Sequence, residues 1–291
     1  MTVRVGCSAA LEGLRSEIEA RLVSYLPDRR ELPEPLWDAM AYSILSGGKR
    51  LRPLLVCSAL EAVGGERTED LWRTCAAAEF LHAFSLIHDD LPCMDDDDLR
   101  RGQPTSHRKF GEGIAVLAGD ALAVRAFEVL AATSRVELVH EFARATGAAG
   151  MIGGQVADVM AEGRPASAAL VAGIHRRKTA ALFRACVRAG GLLAGATAAQ
   201  MHALSVYGEE LGMAFQIKDD LLDVESSTER LGKSAGADSR HGKATYPAAT
   251  SVHEAHAACS AHAAAAWAAL ENLTNPALLQ ELARLSTERE A

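Results

Sequence analysis

Apolar residues recur at three- and four-residue spacing along most of the chain, which is typical of helices that bury one face. No segment alternates apolar and polar residues over a useful length, as a half-buried strand would. Glycines and prolines between the periodic segments mark turns. The pattern predicts about ten helices, over residues 11–26, 36–45, 52–63, 71–87, 115–132, 136–147, 167–190, 197–222 and 246–273 and at the C-terminus.

The predicted helices follow one another without a linker, a low-complexity tract or an internal repeat. The chain has 291 residues, and 49% of them are hydrophobic, which is enough for one large core. We therefore expect residues 1–291 to form a single all-α domain, a bundle of about ten helices.

Two acidic clusters break the helical pattern. They comprise Asp89, Asp90 and residues 95–98, and then Asp219, Asp220 and Asp223. Both lie near predicted helix C-termini, where the helix dipole disfavours negative charge. Asp219 and Asp223 also share one helix face, and like charges at that spacing destabilise a helix by about 0.2–0.5 kcal/mol. Two violations of the same kind indicate that a cation compensates the charge.

Charge and cysteine usage narrow the class of protein. A net charge of −8 argues against a non-specific nucleic-acid binder. No run of about 18 apolar residues predicts a transmembrane helix, and the first residues lack the apolar core of a secretory signal. Six cysteines without any C-x-x-C pair fit free thiols in a reducing compartment. We therefore expect a cytoplasmic protein without a nucleic-acid partner.

Basic residues accompany the acidic clusters. A run of four aspartates alone is more often a solvated loop, and Asp219 to Asp223 alone would fit an exposed acidic helix face equally well. Arg100 and Arg101 follow the first cluster, however, and guanidinium groups bind phosphate oxygens in a bidentate way. Mg²⁺ takes one or two carboxylates and completes its shell with water and substrate phosphate. Together the clusters therefore predict Mg²⁺ ions around a diphosphate.

Five motifs, read in order, resemble the trans-isoprenyl diphosphate synthases, a family that includes bacterial farnesyl and geranylgeranyl diphosphate synthases. They are Gly-Gly-Lys-Arg-Leu-Arg-Pro at 47–53, Asp-Asp-x4-Asp at 89–95 with Arg-Arg-Gly at 100–102, Gly-Gly-Gln at 153–155 with Asp158, Lys178-Thr179, and Asp-Asp-x-x-Asp at 219–223. The resemblance runs from about residue 40 to residue 250. Ala180 departs from the family pattern, since many relatives carry glycine there. The resemblance implies the isoprenoid synthase fold with a central active-site cavity, and a homodimer.

The resemblance also implies an activity and a site. The activity is Mg²⁺-dependent, head-to-tail condensation of isopentenyl diphosphate with dimethylallyl or geranyl diphosphate, with release of diphosphate. Three Mg²⁺ ions would be held by Asp89, Asp90, Asp95, Asp219, Asp220 and Asp223. The allylic substrate would contact Arg100, Lys178, Thr179, Gln216, Lys233 and Lys243, and isopentenyl diphosphate would contact Lys49, Arg52, His82 and Arg101. The catalytic residues would be Asp89, Asp95, Arg100, Lys178, Asp219 and Lys233.

Two of these residues have an ordinary structural alternative. A lone histidine on an apolar helix, such as His82, is more often a core histidine with its hydrogen bonds satisfied. A lone lysine on an apolar helix, such as Lys178, usually extends its ammonium group to solvent. The motifs around both favour the functional interpretation.

Product length depends on the turn of helix before the first cluster. Phe84 and Ser85 lie five and four residues before Asp89, about one turn deeper than the metal ligands. In the relatives, a bulky aromatic at the fifth upstream position limits elongation, and a two-residue insertion, here within 91–94, accompanies the bacterial farnesyl type. The resemblance thus predicts a C15 product. Cys93 is frequent in C20 relatives, so a geranylgeranyl product is the alternative, and Phe84 would then be ordinary core.

Two other functions compete with condensation. A class I terpene cyclase also uses aspartate-rich helices and Mg²⁺, but it binds a single diphosphate, whereas Lys49, Arg52 and the Arg100-Arg101 pair favour two. A non-catalytic subunit of a heteromeric synthase often loses aspartate ligands, and all six are present here.

Overall fold

The computed structural model describes residues 2–225 and 242–288, which form the all-α bundle that the sequence predicts. The helices are α1 (Thr2–Leu22), α2 (Glu34–Leu45), α3 (Leu51–Ala62), α4 (Glu69–Asp89), α5 (Ser106–Phe110), α6 (Glu112–Ala131), α7 (Val136–Thr146), α8 (Met151–Ala161), α9 (Ala168–His175), α10 (Ala181–Leu193), α11 (Ala198–Glu225), α12 (Tyr246–Ala249), α13 (Val252–Ala268) and α14 (Ala277–Thr287). Short 3-10 turns lie at Val23–Tyr25 and Arg29–Glu31, and a π-helical turn at Arg176–Ala180 joins α9 to α10.

The centre of the bundle is built from long apolar helices. Helix α4 packs against α3 and α6, α10 packs against α3 and α11, and α11 packs against α13. Phe80, Phe183 and Tyr207 are fully buried where these helices meet. Burial of each such side chain contributes about 1.5–3 kcal/mol to stability. The helices that carry the two acidic clusters, α4 and α11, therefore belong to the best-packed part of the fold.

The helices differ from the predicted pattern at several places, among them α1, which begins at Thr2, and the short α5, which was not predicted. Residues 151–161 form α8, which the pattern missed because a glycine pair in its first turn resembles a break. Residues 167–190 are not one helix, because the π-helical turn separates α9 from α10. Residues 246–273 are interrupted at Ser251, whose hydroxyl caps α13 by accepting a hydrogen bond from the Glu254 amide.

The only strands among the described residues form a short hairpin that the sequence did not predict. Leu99–Arg100 (β1) pairs antiparallel with Gln103–Pro104 (β2). The two residues between them, Arg101 and Gly102, have φ of 54° and 74°. A two-residue turn with positive φ at both positions matches the twist of the paired strands.

The terminal helices, whose role the sequence left open, pack together. Helix α1 lies against α14, α4 and α3, and its residues Leu11, Leu14 and Ile18 are buried. The Ser8 hydroxyl donates a hydrogen bond to Glu281 at 2.7 Å. No helix in the described part of the chain is long and apolar enough to cross a membrane.

Candidate active site

The two acidic clusters meet in one cavity of about 1480 Å³. Its acidic lining includes Asp89, Asp95, Asp219 and Asp220, and its basic lining includes Lys49, Arg52, Arg100, Arg101, Lys178 and Lys243. Thus 130 residues of sequence separate groups that share a wall in the folded chain. Charges of both signs line the polar end, while apolar side chains line the other.

The first cluster is shaped by the end of α4. Asp89 is the last residue of that helix, and the chain then turns back, so that the Asp95 amide donates a hydrogen bond to the Asp89 carbonyl at 2.8 Å. Asp96 has φ of 49°, which completes the turn. Residues six apart in sequence are thereby neighbours, and both side chains line the cavity.

Asp89 is half-buried on the cavity wall and lacks a direct partner. No hydrogen bond or salt bridge from the described residues reaches its carboxylate. Desolvation raises the pKa of the Asp89 carboxyl to about 6, although the nearby Lys178 ammonium opposes this shift. A half-buried carboxylate without a direct partner fits a position for a bound cation.

Asp90 has a different environment from its neighbour. It is buried away from the main cavity, and its two carboxylate oxygens accept hydrogen bonds from Arg100 Nε at 2.7 and 3.0 Å. Burial alone would lower the pKa of Arg100, but the Asp90 carboxylate raises it above the ordinary value. In this structure Asp90 thus ties Arg100, a residue of the hairpin, to the end of α4, and its role as a metal ligand stays a prediction.

The second cluster, on α11, also separates into exposed and buried members. Asp219 lines the cavity. The carboxylate of Asp220 has protein partners at both oxygens. It accepts hydrogen bonds from Gln216 Nε2 at 3.1 Å and from the Tyr246 amide at 2.8 Å, and His175 Nε2 lies 3.2 Å from its Oδ2. Asp223 is buried behind the wall of the cavity.

Among residues 2–225 and 242–288, no three Asp, Glu, His or Cys side chains converge closely enough to hold a metal ion by themselves. This arrangement fits Mg²⁺, which usually takes one or two carboxylates and completes its coordination with water and phosphate oxygens. It does not fit a structural ion enclosed by protein ligands.

The π-helical turn presents Lys178 and Thr179 to the cavity. Lys178 Nζ lies 2.7 Å from Asp158 Oδ2 on α8. Burial alone would lower the pKa of Lys178, but the carboxylates of Asp89, Asp158 and Asp95 raise it above the ordinary value. The Thr179 hydroxyl donates a hydrogen bond to Gln216 Oε1 at 2.7 Å. π-helical turns inside α-helices are often found at functional sites.

The predicted departure at Ala180 is accommodated by the facing helix. A Cβ added at Gly212 on α11 would lie 2.8 Å from the Ala180 methyl group, which is too close for two carbons. Glycine at 212 therefore leaves room for alanine at 180, and the π turn keeps its place against α11.

Two allylic-site residues remain, Lys243 and Lys233, and only Lys243 belongs to the part of the chain that the structure describes. Lys243 Nζ lies 2.7 Å from Asp95 Oδ2. Burial would raise the pKa of Asp95, but Lys243 and Lys178 lower it below the ordinary value, so Asp95 is ionised at neutral pH. Lys233 lies outside the described residues.

Four further residues of the cavity lining, Lys49, Arg52, His82 and Arg101, form a basic group that we call the basic pocket. Arg52 stacks its guanidinium on the Phe183 ring at 5.3 Å, and its Nε is buried without a hydrogen-bond partner. His82 Nδ1 is likewise buried without a partner. Burial and the surrounding arginines hold the pKa of His82 well below its ordinary value, so the ring is neutral. Buried polar groups are normally satisfied, so these atoms fit a polar ligand in the cavity.

The apolar end of the cavity begins at Phe84. The Phe84 ring meets the His88 ring edge-to-face at 5.8 Å, and both line the wall with Ser85. Beyond them the wall continues along α6 with Ala123 and Phe127. The structure thus brings Phe84 and Ser85 to the same cavity as the acidic clusters.

The sequence placed Asp158 in a motif without indicating a role for it, and His175 was not identified from the sequence. Asp158 was hard to interpret because α8 itself was not predicted. His175 precedes Lys178 by three residues, which would have placed both on one helix face. The contacts of these residues with Lys178 and Asp220 were not visible in the sequence.

We expect Asp158→Asn to lower turnover about 10–100-fold, because Lys178 loses the charged partner that orients its ammonium group, a contact worth about 1.5–3 kcal/mol. Steady-state kinetics would measure the loss. Glu162→Asn serves as the control, because Glu162 is a half-buried acidic residue at the end of the same helix that does not line the cavity. Equal activity of the two variants would remove Asp158 from the site.

The sequence matches the family model described as polyprenyl synthetase over residues 33–281. The chain belongs to the polyprenyl synthetase family. The farnesyl diphosphate synthase of Bacillus subtilis (strain 168) is 45% identical over 249 residues, 83% of each chain. Geranylgeranyl pyrophosphate synthase 11, chloroplastic, of Arabidopsis thaliana is 47% identical over 229 residues, 74% of this chain and 64% of that protein.

The fold agrees with the family. A geranyltransferase from Helicobacter pylori, solved in complex with magnesium and isoprenyl diphosphate, matches with a TM-score of 0.85 at 30% identity and covers 95% of each chain. Members of this polyprenyl synthetase family are prenyltransferases, so the chain is an enzyme of that class.

Proposed function

We propose that this polyprenyl synthetase is a farnesyl diphosphate synthase, which condenses isopentenyl diphosphate with dimethylallyl and then geranyl diphosphate. The observation that carries the proposal is one cavity whose charged part combines two sets of residues. The first set is the acidic residues with Lys178, and the second is the basic group of Arg52, His82 and Arg101. A cyclase needs only the first. The relatives named as farnesyl diphosphate synthases support the same conclusion.

Mg²⁺ would be held by carboxylates on the cavity wall, with Asp89, Asp95 and Asp219 among them, and three ions are expected per site. Bound there with the diphosphate, Mg²⁺ supplies Lewis-acid stabilisation of the leaving group. The chain's own contribution is positioning. Arg100 is held by Asp90, and Asp220 is held by Gln216 and the Tyr246 amide. These charged groups are therefore placed before substrate arrives.

The residues around the allylic carbon suit a carbocation. The Thr179 hydroxyl donates a hydrogen bond to Gln216 Oε1, so the lone pairs of the hydroxyl oxygen remain available to stabilise positive charge in the cavity. The apolar wall that begins at Phe84 excludes water, which would otherwise capture the cation. The double bond of isopentenyl diphosphate attacks this cation, and the C2 proton then passes to the released diphosphate. No side chain is required as a general base.

We also propose a cytoplasmic homodimer. Leu117 and Val124, 56% and 69% exposed, lie seven residues apart on α6, outside the cavity lining. Apolar side chains repeated along a helix face favour contact with a second copy. Cys57, Cys75, Cys93, Cys186 and Cys259 are free thiols, as in a reducing compartment. Light scattering should give twice the mass of one chain, and the mass of a single chain would refute the dimer.

Removal of the metal tests the proposed function. Purified protein with isopentenyl diphosphate, geranyl diphosphate and Mg²⁺ should release diphosphate and form farnesyl diphosphate. Excess chelator should abolish turnover, and added Mg²⁺ should restore it. Terpene hydrocarbon from farnesyl diphosphate alone would indicate a cyclase instead, and turnover that requires a second protein would indicate a heteromer subunit.

A further inference from the structure

Arg50, between the two basic residues of the Lys49–Arg52 motif, turns away from the cavity. Its side chain is 3% exposed. Arg50 Nη1 donates a hydrogen bond to Glu79 Oε1 at 2.7 Å, and Nη2 donates to the Ile44 carbonyl at 2.7 Å. Lys49 and Arg52, by contrast, line the cavity. Arg50 is thus a buried contact between the start of α3 and the middle of α4.

The segment before α3 needs this contact because its backbone is unusual. Gly47, Gly48 and Arg50 have φ of 76°, 141° and 49°. The left-handed conformation costs a non-glycine residue about 1–2 kcal/mol. The two hydrogen bonds of the Arg50 guanidinium offset that cost and fix the direction in which the segment leaves α2.

The same segment supports Arg101. The Arg101 guanidinium donates a hydrogen bond to the Gly47 carbonyl and lies against Gly48, where an added Cβ would come within 2.6 Å of Nη1. A displaced 47–48 segment would therefore displace Arg101. Arg50 does not line the basic pocket, but it influences the position of Arg101 there through the backbone of residues 47–48.

Glu79 supplies the negative charge beneath the pocket. It is 4% exposed, and it borders a small cavity of about 50 Å³, large enough for water, together with His82 and Arg101. Burial lowers the pKa of Arg52 and of Arg101, and the Glu79 carboxylate opposes this shift at both. One buried acid thus faces three arginines, of which only Arg50 is in direct contact.

We propose that the buried Arg50–Glu79 ion pair is a positioning pair that sets the places of Arg52 and Arg101 for the diphosphate of isopentenyl diphosphate. The pair touches no substrate. It acts by fixing the 47–48 segment and by balancing the charge of neighbouring arginines that would otherwise repel one another. Preorganised groups bind more tightly because less order is lost on binding. The inference rests on the proposed function and adds residues to its second diphosphate site.

Glu79→Gln tests the pair, because it keeps the side-chain volume and removes the charge. We expect the KM for isopentenyl diphosphate to rise about tenfold, as for loss of a charged hydrogen bond. The KM for geranyl diphosphate should stay within about twofold. Glu61→Gln is the matched control, since Glu61 pairs with Arg67 on the surface of α3 at 2.5 Å. A purely structural role would change both KM values together or neither.

A double variant separates positioning from stability. Breaking a buried ion pair destabilises a fold, whereas replacing both partners by apolar residues of similar volume is often neutral. Arg50→Met with Glu79→Met should therefore melt near the wild-type temperature and still show the raised KM for isopentenyl diphosphate. A wild-type KM in the double variant would overturn the proposal. Failure of both variants to fold would also overturn it, because the pair would then be structural.

The wild-type assay distinguishes failure of the proposed function from failure of the role of the Arg50–Glu79 pair. If the wild-type protein does not condense isopentenyl diphosphate with an allylic primer, the proposed function itself fails. If it does, and Glu79→Gln leaves the KM for isopentenyl diphosphate unchanged, only the role of the Arg50–Glu79 pair fails.

Discussion

Replacement of Asp89 by asparagine is expected to lower turnover about 10²–10³-fold, the usual loss when one group that stabilises transition-state charge is removed. Stability should not fall with it. Burial raises the pKa of the Asp89 carboxyl from its ordinary 3.8 to about 6, so the ionised group is less favourable in the folded chain than in the unfolded one. That penalty grows as pH rises from 3.8 to 6 and is complete above 6. Asparagine removes it.

Asp98→Asn is the matched control for this variant. Asp98 belongs to the same acidic run, but its side chain is 66% exposed and pairs with Arg108 at 3.0 Å outside the cavity wall. Its turnover should stay near that of the wild type. Melting temperatures in metal-free buffer at pH 8 should be unchanged or higher for Asp89→Asn. Near-full activity of Asp89→Asn would remove this carboxylate from the metal site.

Replacement of Phe84 by alanine is expected to shift the products from C15 toward C20 or longer chains. Phe84 lines the cavity where its charged end meets the apolar wall, and the wall continues beyond it along α6 to Ala123 and Phe127. Removing the ring opens space in the direction in which a prenyl tail would extend. Reversed-phase chromatography of the dephosphorylated products measures the change.

A matched pair of milder variants separates product length from packing. Phe84→Leu should give an intermediate shift in chain length. Phe142→Leu removes the same atoms from a fully buried phenylalanine on α7 that does not line the cavity. That variant should lose stability without changing the products. An unchanged product spectrum in Phe84→Ala would contradict the role of Phe84 and leave the C20 alternative open.

The sequence predicted the helical architecture because most helices bury one face with regular spacing. It failed at α8, where Gly153 and Gly154 resemble a break, since glycine in a helix costs about 1 kcal/mol relative to alanine. The reason for Gly154 is tertiary: the backbone of Lys178 occupies the space that a Cβ would need. No pattern within the helix itself contains that information.

The motifs located most of the site, but they did not distinguish residues of the same type. Asp89 and Asp90 are adjacent, yet one lines the cavity and the other is held by Arg100. Arg100 and Arg101 are also adjacent, and they contact Asp90 and the Gly47 carbonyl respectively, because Arg100 ends β1 whereas Arg101 lies in the hairpin turn with a positive φ. Whether a residue lines the cavity or is held by another side chain thus depends on backbone geometry and on partners distant in sequence.

The stoichiometry of the reaction tests the central claim most directly. Wild-type protein, Mg²⁺, dimethylallyl diphosphate and radiolabelled isopentenyl diphosphate should give farnesyl diphosphate that contains two labelled units, with two diphosphates released for each product. A product that contains three or more labelled units would contradict the C15 assignment. No incorporation of label would contradict a condensing enzyme with two diphosphate sites.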